Sequence, residues 1–423
     1  MNNDMLDQNE YAAFVGLDWA DQQHAVCVQA AGHTKVETYS LKQTADALAE
    51  WVIGLRSRFE GRKVAVALEQ SKGALIYHLM SYDFLVLYPV NPLTLKQYRK
   101  AFRTSGAKDD PDDARSLMEI VKLHRDRLRA WVPDDVETRT LSMLVESRRK
   151  IVNERTRLTN RLTGLLKAYF PQALEWVGEL ASLRACDFLG KWPTLQAVQK
   201  AKRSELLKFY HQHGCKNDEV IQERIKQIRT ARPLTDDQAV IKASAMMARA
   251  IVSQLPCVME AIKQFDQEIN HLFPEHPDHD LFDSFPGAGQ VMGPRLLAAM
   301  GSDRSRFETA EEVERLSGIA PVTERSGKSK WIHRRFACSK FVRQTFHEFA
   351  KGSIIWSSWA RAYYDQQRQS GKKHHAAVRA LAYKWIRIIF HCWKERELYN
   401  EQRYLEALRR RRSRLAVVIA DRS

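Results

Sequence analysis

At 423 residues the chain has room for two or three domains with buried cores, which excludes a small disulfide-stapled peptide. Its 67 Lys and Arg against 51 Asp and Glu give a net charge of +16, and residues 322–423, with 24 bases and 8 acids, hold that whole excess; a polyanion is the partner to expect. Six scattered cysteines (Cys27, Cys186, Cys215, Cys257, Cys338, Cys392) form no paired zinc pattern, and with a polar N-terminus and only short apolar runs they point to a reducing cytoplasm and no membrane span.

From the N-terminus, residues 12–19, 24–30 and 35–40 are short apolar and β-branched runs between turn signals and read as three successive strands. A helical pattern follows over 41–58, then an apolar strand at 64–68, a helix from about residue 73 and a strand at 84–88. Three strands, helix, strand, helix, strand is the order of an RNase H-like sheet; a doubly wound sheet alternates strand and helix from the start. Pro111 and the aspartates around it begin another helix, because proline has no donor to orphan in the first turn and carboxylates suit the positive end of the dipole. Residues 131–133, Trp-Val-Pro, mark a boundary. From Leu141 a long helix carries Leu144, Ile151, Leu158 and Leu165 seven apart, with Leu141 and Leu162 beside them, which is coiled-coil spacing. Arg148 and Arg155 interrupt that seam, and residues 138–170 hold 8 bases against 2 acids, which suits a partner chain, nucleic acid or packing within the chain. The stretch 171–234 is unevenly helical, and a second long helix over 236–273 can pair with the first as an antiparallel hairpin. After a His-Pro-rich linker comes a helical domain closed by an Arg-rich tail at 409–414. The expected organisation is an α/β domain at 1–131, a helical coiled-coil region at 132–275 and a basic, mainly helical domain at 276–423.

Four carboxylates form the first candidate site. Asp18 ends the first strand, Glu69 ends the fourth, and Asp110 and Asp113, three apart, share one face of the helix they begin. Hard oxygen ligands of this kind hold Mg²⁺, and two such ions about 4 Å apart activate the attacking and leaving oxygens of a phosphodiester exchange. Singly, Asp110 is explained as a helix cap and Asp18 as a turn residue; the set is what points to a metal centre. The second candidate is Ser326, in Arg325-Ser-Gly-Lys-Ser-Lys330 with His333, Arg334 and Arg335 close behind. Cations steady the charge on a phosphate that a serine hydroxyl attacks. A Ser/Gly loop that hydrogen-bonds a nucleic-acid backbone is the competing reading, and Ser329 competes for either role. Third, Phe285-Pro-Gly-Ala-Gly-Gln-Val-Met-Gly-Pro294 lacks the strand and the glycine spacing of a dinucleotide site; a helix-hairpin-helix turn whose amides meet phosphates fits, as does a helix–helix turn with no ligand. The candidate nucleic-acid contacts are Gly287, Gly289, Arg325, Lys328, Lys330, Arg334, Arg335, Arg148 and Arg155. Most aromatics of the last hundred residues read as core, as the spacing of Trp385, Ile389 and Trp393 indicates.

Phe14-Val-Gly-Leu-Asp18-Trp19, Leu68-Glu69, Lys108-Asp-Asp110-Pro-Asp-Asp113-Ala114-Arg115, Pro286-Gly-Ala-Gly289, Gly318-Ile-Ala-Pro321 with Ser326-Gly-Lys328, and Tyr364 with Gly371-Lys372 resemble the DEDD transposases of the insertion-sequence 110 family. The resemblance runs in order along nearly the whole chain. It implies a RuvC-like N-terminal domain, a coiled-coil region and a C-terminal transposase domain. Asp18, Glu69, Asp110 and Asp113 would hold Mg²⁺, two ions per site, and Ser326 would attack a DNA phosphodiester to form a transient 5′-phosphoserine link. The family also implies a bridge RNA pairing with donor and target DNA, and dimers that pair into tetramers with the serine of one protomer completing the site of another. Asp109 stands where members often have threonine, and the spacing favours Asp110 and Asp113 as the ligands. Such a protein works in the bacterial cytoplasm, at the nucleoid when active. Two other readings stand beside this one: a RuvC-like metal-dependent nuclease such as a junction resolvase, and a non-catalytic basic RNA-binding scaffold.

Overall fold

The computed structural model describes residues 10–69, 72–102, 110–327, 329–413, 415 and 419. The chain divides into two compact units, Met1–Pro133 and Asp134–Ser423.

The first unit is built on a five-stranded sheet of β1 (Ala13–Asp18), β2 (Gln23–Ala30), β3 (Val36–Lys42), β4 (Val64–Leu68) and β5 (Leu85–Pro89), in the order β3-β2-β1-β4-β5. β2 is antiparallel to β1 and β3, whereas β1, β4 and β5 run parallel. The two faces follow from the two-residue period of a strand. On one face Val15, Leu17, Val66 and Leu68 pack with Leu48, Val52 and Leu55 of α1 (Ala45–Arg58) and Leu75, Ile76 and Leu79 of α2 (Ala74–Leu79). Thr44 caps α1, its hydroxyl accepting from the Ala47 amide at 3.3 Å. α3 (Pro92–Phe102) buries only Leu95, and that thin apolar stripe explains why the sequence pattern does not reveal it. The other face, with Phe14, Cys27, Ala65 and Ala67, is covered by Leu117, Met118 and Val121 of α4 (Asp110–His124). Gly16 sits where α4 crosses β1. A Cβ there would stand 1.9 Å from the Ala114 carbonyl oxygen and 2.4 Å from the Met118 amide, so the crossing requires glycine.

The second unit opens with α5 (Val136–Tyr169), capped by Asp135, which accepts from the Thr138 amide at 2.6 Å. After α6 (Ala173–Val177), α7 (Leu183–Lys191), α8 (Leu195–Lys200), α9 (Arg203–Gln212) and α10 (Asp218–Thr230) comes α11 (Gln238–Leu272). α5 and α11 pair antiparallel: Leu141 and Val145 share a core with Ile269 and Phe273, and Leu162 and Leu166 share another with Ala248 and Val252. The intervening helices fold over the second of these cores through Trp176, Phe188, Phe209 and Tyr210. The buried seam corrects the heptad reading in part. Leu141, Leu158 and Leu162 are buried as expected, but Leu144, Ile151 and Leu165 are only half-buried and Val145 and Leu166 take the interior positions. A second correction concerns the absence of any membrane-span pattern: Gln238–Glu275 is long and apolar enough by composition, because Ala, Val and Met stand on its exposed side as well as Ala, Ile, Val and Leu on its buried one.

The rest of the unit comprises α12 (His279–Asp283), α13 (Gly289–Met300), α14 (Ala310–Leu316), an antiparallel ribbon of β6 (Val322–Ser326) and β7 (Ser329–His333), α15 (Lys340–Trp356), α16 (Ser358–Gln369), α17 (His374–Glu395) and α18 (Glu401–Arg410). Its core holds Trp359, Trp385 and Trp393, whose indole N–H groups donate to Tyr399 Oη, Ser353 Oγ and the Gly301 carbonyl at 2.8, 2.8 and 2.7 Å. The aromatic spacing of the sequence is thus core packing at these positions, while Trp331 and Trp356 are exposed. All six cysteines are free.

Candidate active site

In the first unit, Leu17 of β1 pairs with Leu68 of the parallel strand β4, so Asp18 and Glu69 leave neighbouring strands at the same sheet edge. Alternation continues from Phe14 and Gly16 to Asp18, and from Ala65 and Ala67 to Glu69, which puts both carboxylates on the α4 face. Asp18 and Glu69 are half-buried and both have interaction partners. α4 brings its first turn to this edge because Gly16 lets Ala114 lie on β1. Asp110 is exposed at the start of the helix; Asp113, 5% exposed, accepts from Arg99 Nη1 of α3 at 2.5 Å.

Sequence reasoning missed Arg99, because the pair joins two helices across a stretch with no spacing signal. Arg99 neutralises a buried carboxylate that would otherwise be costly to keep charged. Among the described residues no group of three or more His, Cys, Asp or Glu stands close enough together to hold a metal ion. The donor chemistry nevertheless suits a hard divalent cation, since every candidate ligand on this edge is a carboxylate. Lys108 and Asp109 lie outside the described residues.

In the second unit, the Arg325-to-Lys330 stretch is a ribbon and not a Ser/Gly loop: Ser326 pairs with Ser329 and Arg325 with Lys330. The ribbon escaped sequence reading because apolar and polar residues do not alternate on it; β7 is exposed throughout, with Trp331 50% and Ile332 63% exposed. Ser326 and Ser329 both face solvent beside the turn. His333 pairs with Glu324 across the ribbon, Nε2 to Oε2 at 3.5 Å. Arg334 is exposed with its guanidinium 5.8 Å from the Phe336 ring centre, and Arg335 is half-buried. Lys328 and Arg414 lie outside the described residues.

Gly287 lies in the turn between α12 and α13 with φ +77°, and a Cβ there would meet Trp356 Cδ1 at 2.5 Å; Gly289, φ +45°, is exposed at the start of α13. The first is needed for a left-handed turn and for the close approach of Trp356. Arg148 forms a two-pronged ion pair with Asp266 of α11, Nε donating to Oδ1 and Nη2 to Oδ2, the latter at 3.0 Å, which accounts for one of the basic interruptions of the helix seam. Arg155 is half-buried on α5.

Comparison with known proteins gives matches at both ends of the chain. Residues 15–171 match a model described as a transposase, that of the DEDD transposases of IS110, and residues 279–365 match one described as "Transposase IS116/IS110/IS902 family". A Streptomyces coelicolor protein named "Mini-circle putative transposase for IS117" is 28% identical, the match covering 94% of this chain and 97% of the relative. The insertion element IS116 protein of Streptomyces clavuligerus is 26% identical over 92% of this chain and 96% of its own length. The IS110 protein of Streptomyces coelicolor is 26% identical over 94% and 98%.

Proposed function

The chain belongs to the IS110 family of transposases, and from that membership and the site geometry we propose that it excises and inserts its own insertion sequence by serine chemistry under the guidance of a bridge RNA. The observation that carries the reading is the placement of Ser326: exposed, one residue from a ribbon turn, with Arg325 and Lys330 paired beside it. A hydroxyl so placed is open to a phosphodiester, and cations brought to the phosphoryl oxygens would offset the charge that develops there. Attack forms a bond from Ser326 Oγ to phosphorus, breaks the bond to the 3′ oxygen and leaves a 5′-phosphoserine link and a 3′-hydroxyl. A 3′-hydroxyl from the exchanged strand then reverses the step, so no free double-strand break is needed.

In this reading Asp18, Glu69, Asp110 and Asp113 would hold Mg²⁺, two ions per site. When bound, Mg²⁺ supplies positive charge to phosphate oxygens. Arg99 holds the Asp113 carboxylate at the edge of the sheet by donating to its Oδ1. The sheet order and the α4 crossing support a RuvC-like fold for this unit. The paired α5 and α11 serve as the coiled-coil region, the α12–α13 turn as a helix-hairpin-helix-like phosphate contact, and the functional divisions fall at 131 and 275. Sequence choice rests on bridge RNA pairing with donor and target DNA, a division of labour used by other RNA-guided proteins. The working form is a dimer that pairs into a tetramer, acting at the nucleoid of the bacterial cytoplasm.

One observation favours a RuvC-like nuclease as the second reading: His333, the histidine on the serine's ribbon, is paired with Glu324 and stands at the opposite end of β7 from the turn. The discriminating experiment expresses the full chain with its flanking DNA and looks for protein covalently attached to DNA on denaturing gels. The adduct is expected in the wild type, absent in Ser326→Ala and retained in Ser329→Ala, with recombination lost in Asp18→Ala. Metal-dependent nicks without an adduct would replace the serine reading with the nuclease.

A further inference from the structure

We propose that a cavity at the base of the β6–β7 ribbon receives one nucleotide unit of a nucleic-acid strand, its phosphate held by Arg334, Arg335 and Arg379 and its base laid against Tyr363 or Tyr383. The inference deepens the transposase reading and rests on it for the strand being substrate or guide. The cavity measures about 410 Å³, within the range of sites that enclose a small molecule. One wall is the end of β7 and the residues after it, the second is the Gly318–Pro321 turn, and the third is α16 and α17. Two stretches that stood out in the sequence, Gly318-Ile-Ala-Pro321 and Gly371-Lys372, are thereby brought to one place.

The turn fits there because of Gly318. Its φ is +65°, and a Cβ would stand 2.5 Å from Cys338 Sγ and 3.3 Å from the Arg335 carbonyl oxygen, so the chain after the ribbon packs directly on this turn. Among the described residues no carboxylate lines the cavity, but Arg334, Arg335, Lys372 and Arg379 do. Arg387, the next guanidinium along α17, is neutralised by Glu311 and Glu314 at 2.7 and 2.8 Å. Arg334 and Arg379 have no such partner among the described residues, and the Arg335 Nε–H is buried without an acceptor. Burial, followed by the nearness of Arg334, pushes the Arg379 guanidinium below its ordinary value. An anion between these groups relieves their mutual repulsion and supplies the missing acceptor; a phosphodiester does both.

The aromatic side of the cavity is held in place. Lys384 Nζ stands 4.8 Å from the Tyr363 ring centre and the Arg387 guanidinium 4.9 Å from that of Tyr383. Base stacking on such rings tolerates any sequence, which suits a protein whose choice of site is made by base pairing. His333, at the cavity, and Ser329, at the turn, are opposite ends of β7, roughly 13 Å apart at ~3.3 Å per residue. The cavity residues are therefore positioning residues: they hold a strand that passes the serine and do not touch the reacting phosphate.

The test uses the full chain and short single-stranded oligonucleotides carrying 5-iodouracil, in a DNA and an RNA version of one sequence. Ultraviolet crosslinks are mapped by peptide mass, and affinity is measured across a salt series. Crosslinks to Tyr363 or Tyr383 are expected, and the version that gives them identifies the strand as DNA or RNA. Lys372→Gln, at an exposed position, and Arg379→Gln should each weaken binding about fivefold or more and flatten the log–log salt slope by about one. Arg403→Gln, which lies outside the cavity, should do neither, and matched thermal melts check that the variants fold. Crosslinks elsewhere with both oligonucleotides, or an unchanged affinity and slope in Arg379→Gln, would overturn the proposal. A chain that crosslinks at Tyr363 yet forms no serine adduct refutes the serine chemistry alone; an adduct with crosslinks elsewhere refutes the cavity alone.

Discussion

Two glycines of the first unit respond to a methyl group in opposite directions. Gly16 has the Ala114 carbonyl 1.9 Å from where its Cβ would be, and both atoms belong to backbone held in regular elements. Gly16→Ala can be accommodated only by lifting α4 off β1, at about 1–3 kcal/mol for an overpacked core. Gly54, exposed within α1, has nothing within 4 Å of its Cβ position, and Gly54→Ala should stabilise by about 0.5–1 kcal/mol. Urea midpoints of the two variants check the pair; equal shifts would mean that α4 is not seated as described. Gly16→Ala should also lower recombination, since α4 carries Asp110 and Asp113. A second residue-scale prediction concerns His276. Its Nδ1 accepts from the Asp278 amide at 3.0 Å, so in the neutral ring Nε2–H donates to Thr138 Oγ1 at 2.8 Å, and that hydroxyl donates to Asp135 Oδ2 at 3.0 Å. Burial holds the imidazole below its ordinary 6.5. The unfolded chain then takes up the proton more readily than the folded one, so this contribution is intact above pH 6.5 and is lost as the pH falls through the folded value. Thermal melts between pH 7.5 and 5 should show a steeper loss for the wild type than for His276→Gln.

At the scale of elements, Leu162 and Ile151 both lie on the heptad pattern of α5, yet Leu162 is fully buried and Ile151 is not. Leu162→Ala should cost about 2–5 kcal/mol, and Ile151→Ala clearly less, as read from chemical denaturation of the full chain. Similar costs would restore the regular heptad seam and imply a partner helix over Ile151. The difference explains what was legible beforehand. β1 and β4 could be read from their sequence because nearly every residue in them is apolar and buried. α3 could not, because one buried leucine makes no stripe, and neither could the β6–β7 ribbon, whose residues face solvent on both sides. The same contrast holds for the candidate site. Asp18 and Glu69 announce themselves by ending apolar strands, and Ser326 by its basic neighbours. Tyr363 is one of the aromatics that interleave with bases near the C-terminus, but Arg99 and Arg379 gain their roles from contacts between separate elements, for which a single sequence carries no spacing signal.

For the molecule as a whole, charge and candidate chemistry are unevenly divided. Met1–Pro133 contains 17 Lys and Arg against 17 Asp and Glu, so Asp134–Ser423 carries the full excess of +16. Each unit also has cores of its own: those on the two sheet faces in the first, and those along the α5–α11 pair and around the buried tryptophans in the second. A neutral unit with four candidate metal carboxylates gains little from counterion release, whereas a strongly basic one gains with every phosphate it meets. Affinity for nucleic acid should therefore reside in the second unit and the metal-dependent step in the first. Expressed separately, each fragment should melt cooperatively. Fragment 134–423 should keep the log–log salt slope of the full chain to within about one, and fragment 1–133 should bind weakly with a shallow slope. A slope shared evenly between the fragments would mean that backbone contacts are drawn from local basic patches on the neutral unit, and that net charge is the wrong guide to how this transposase holds its strands.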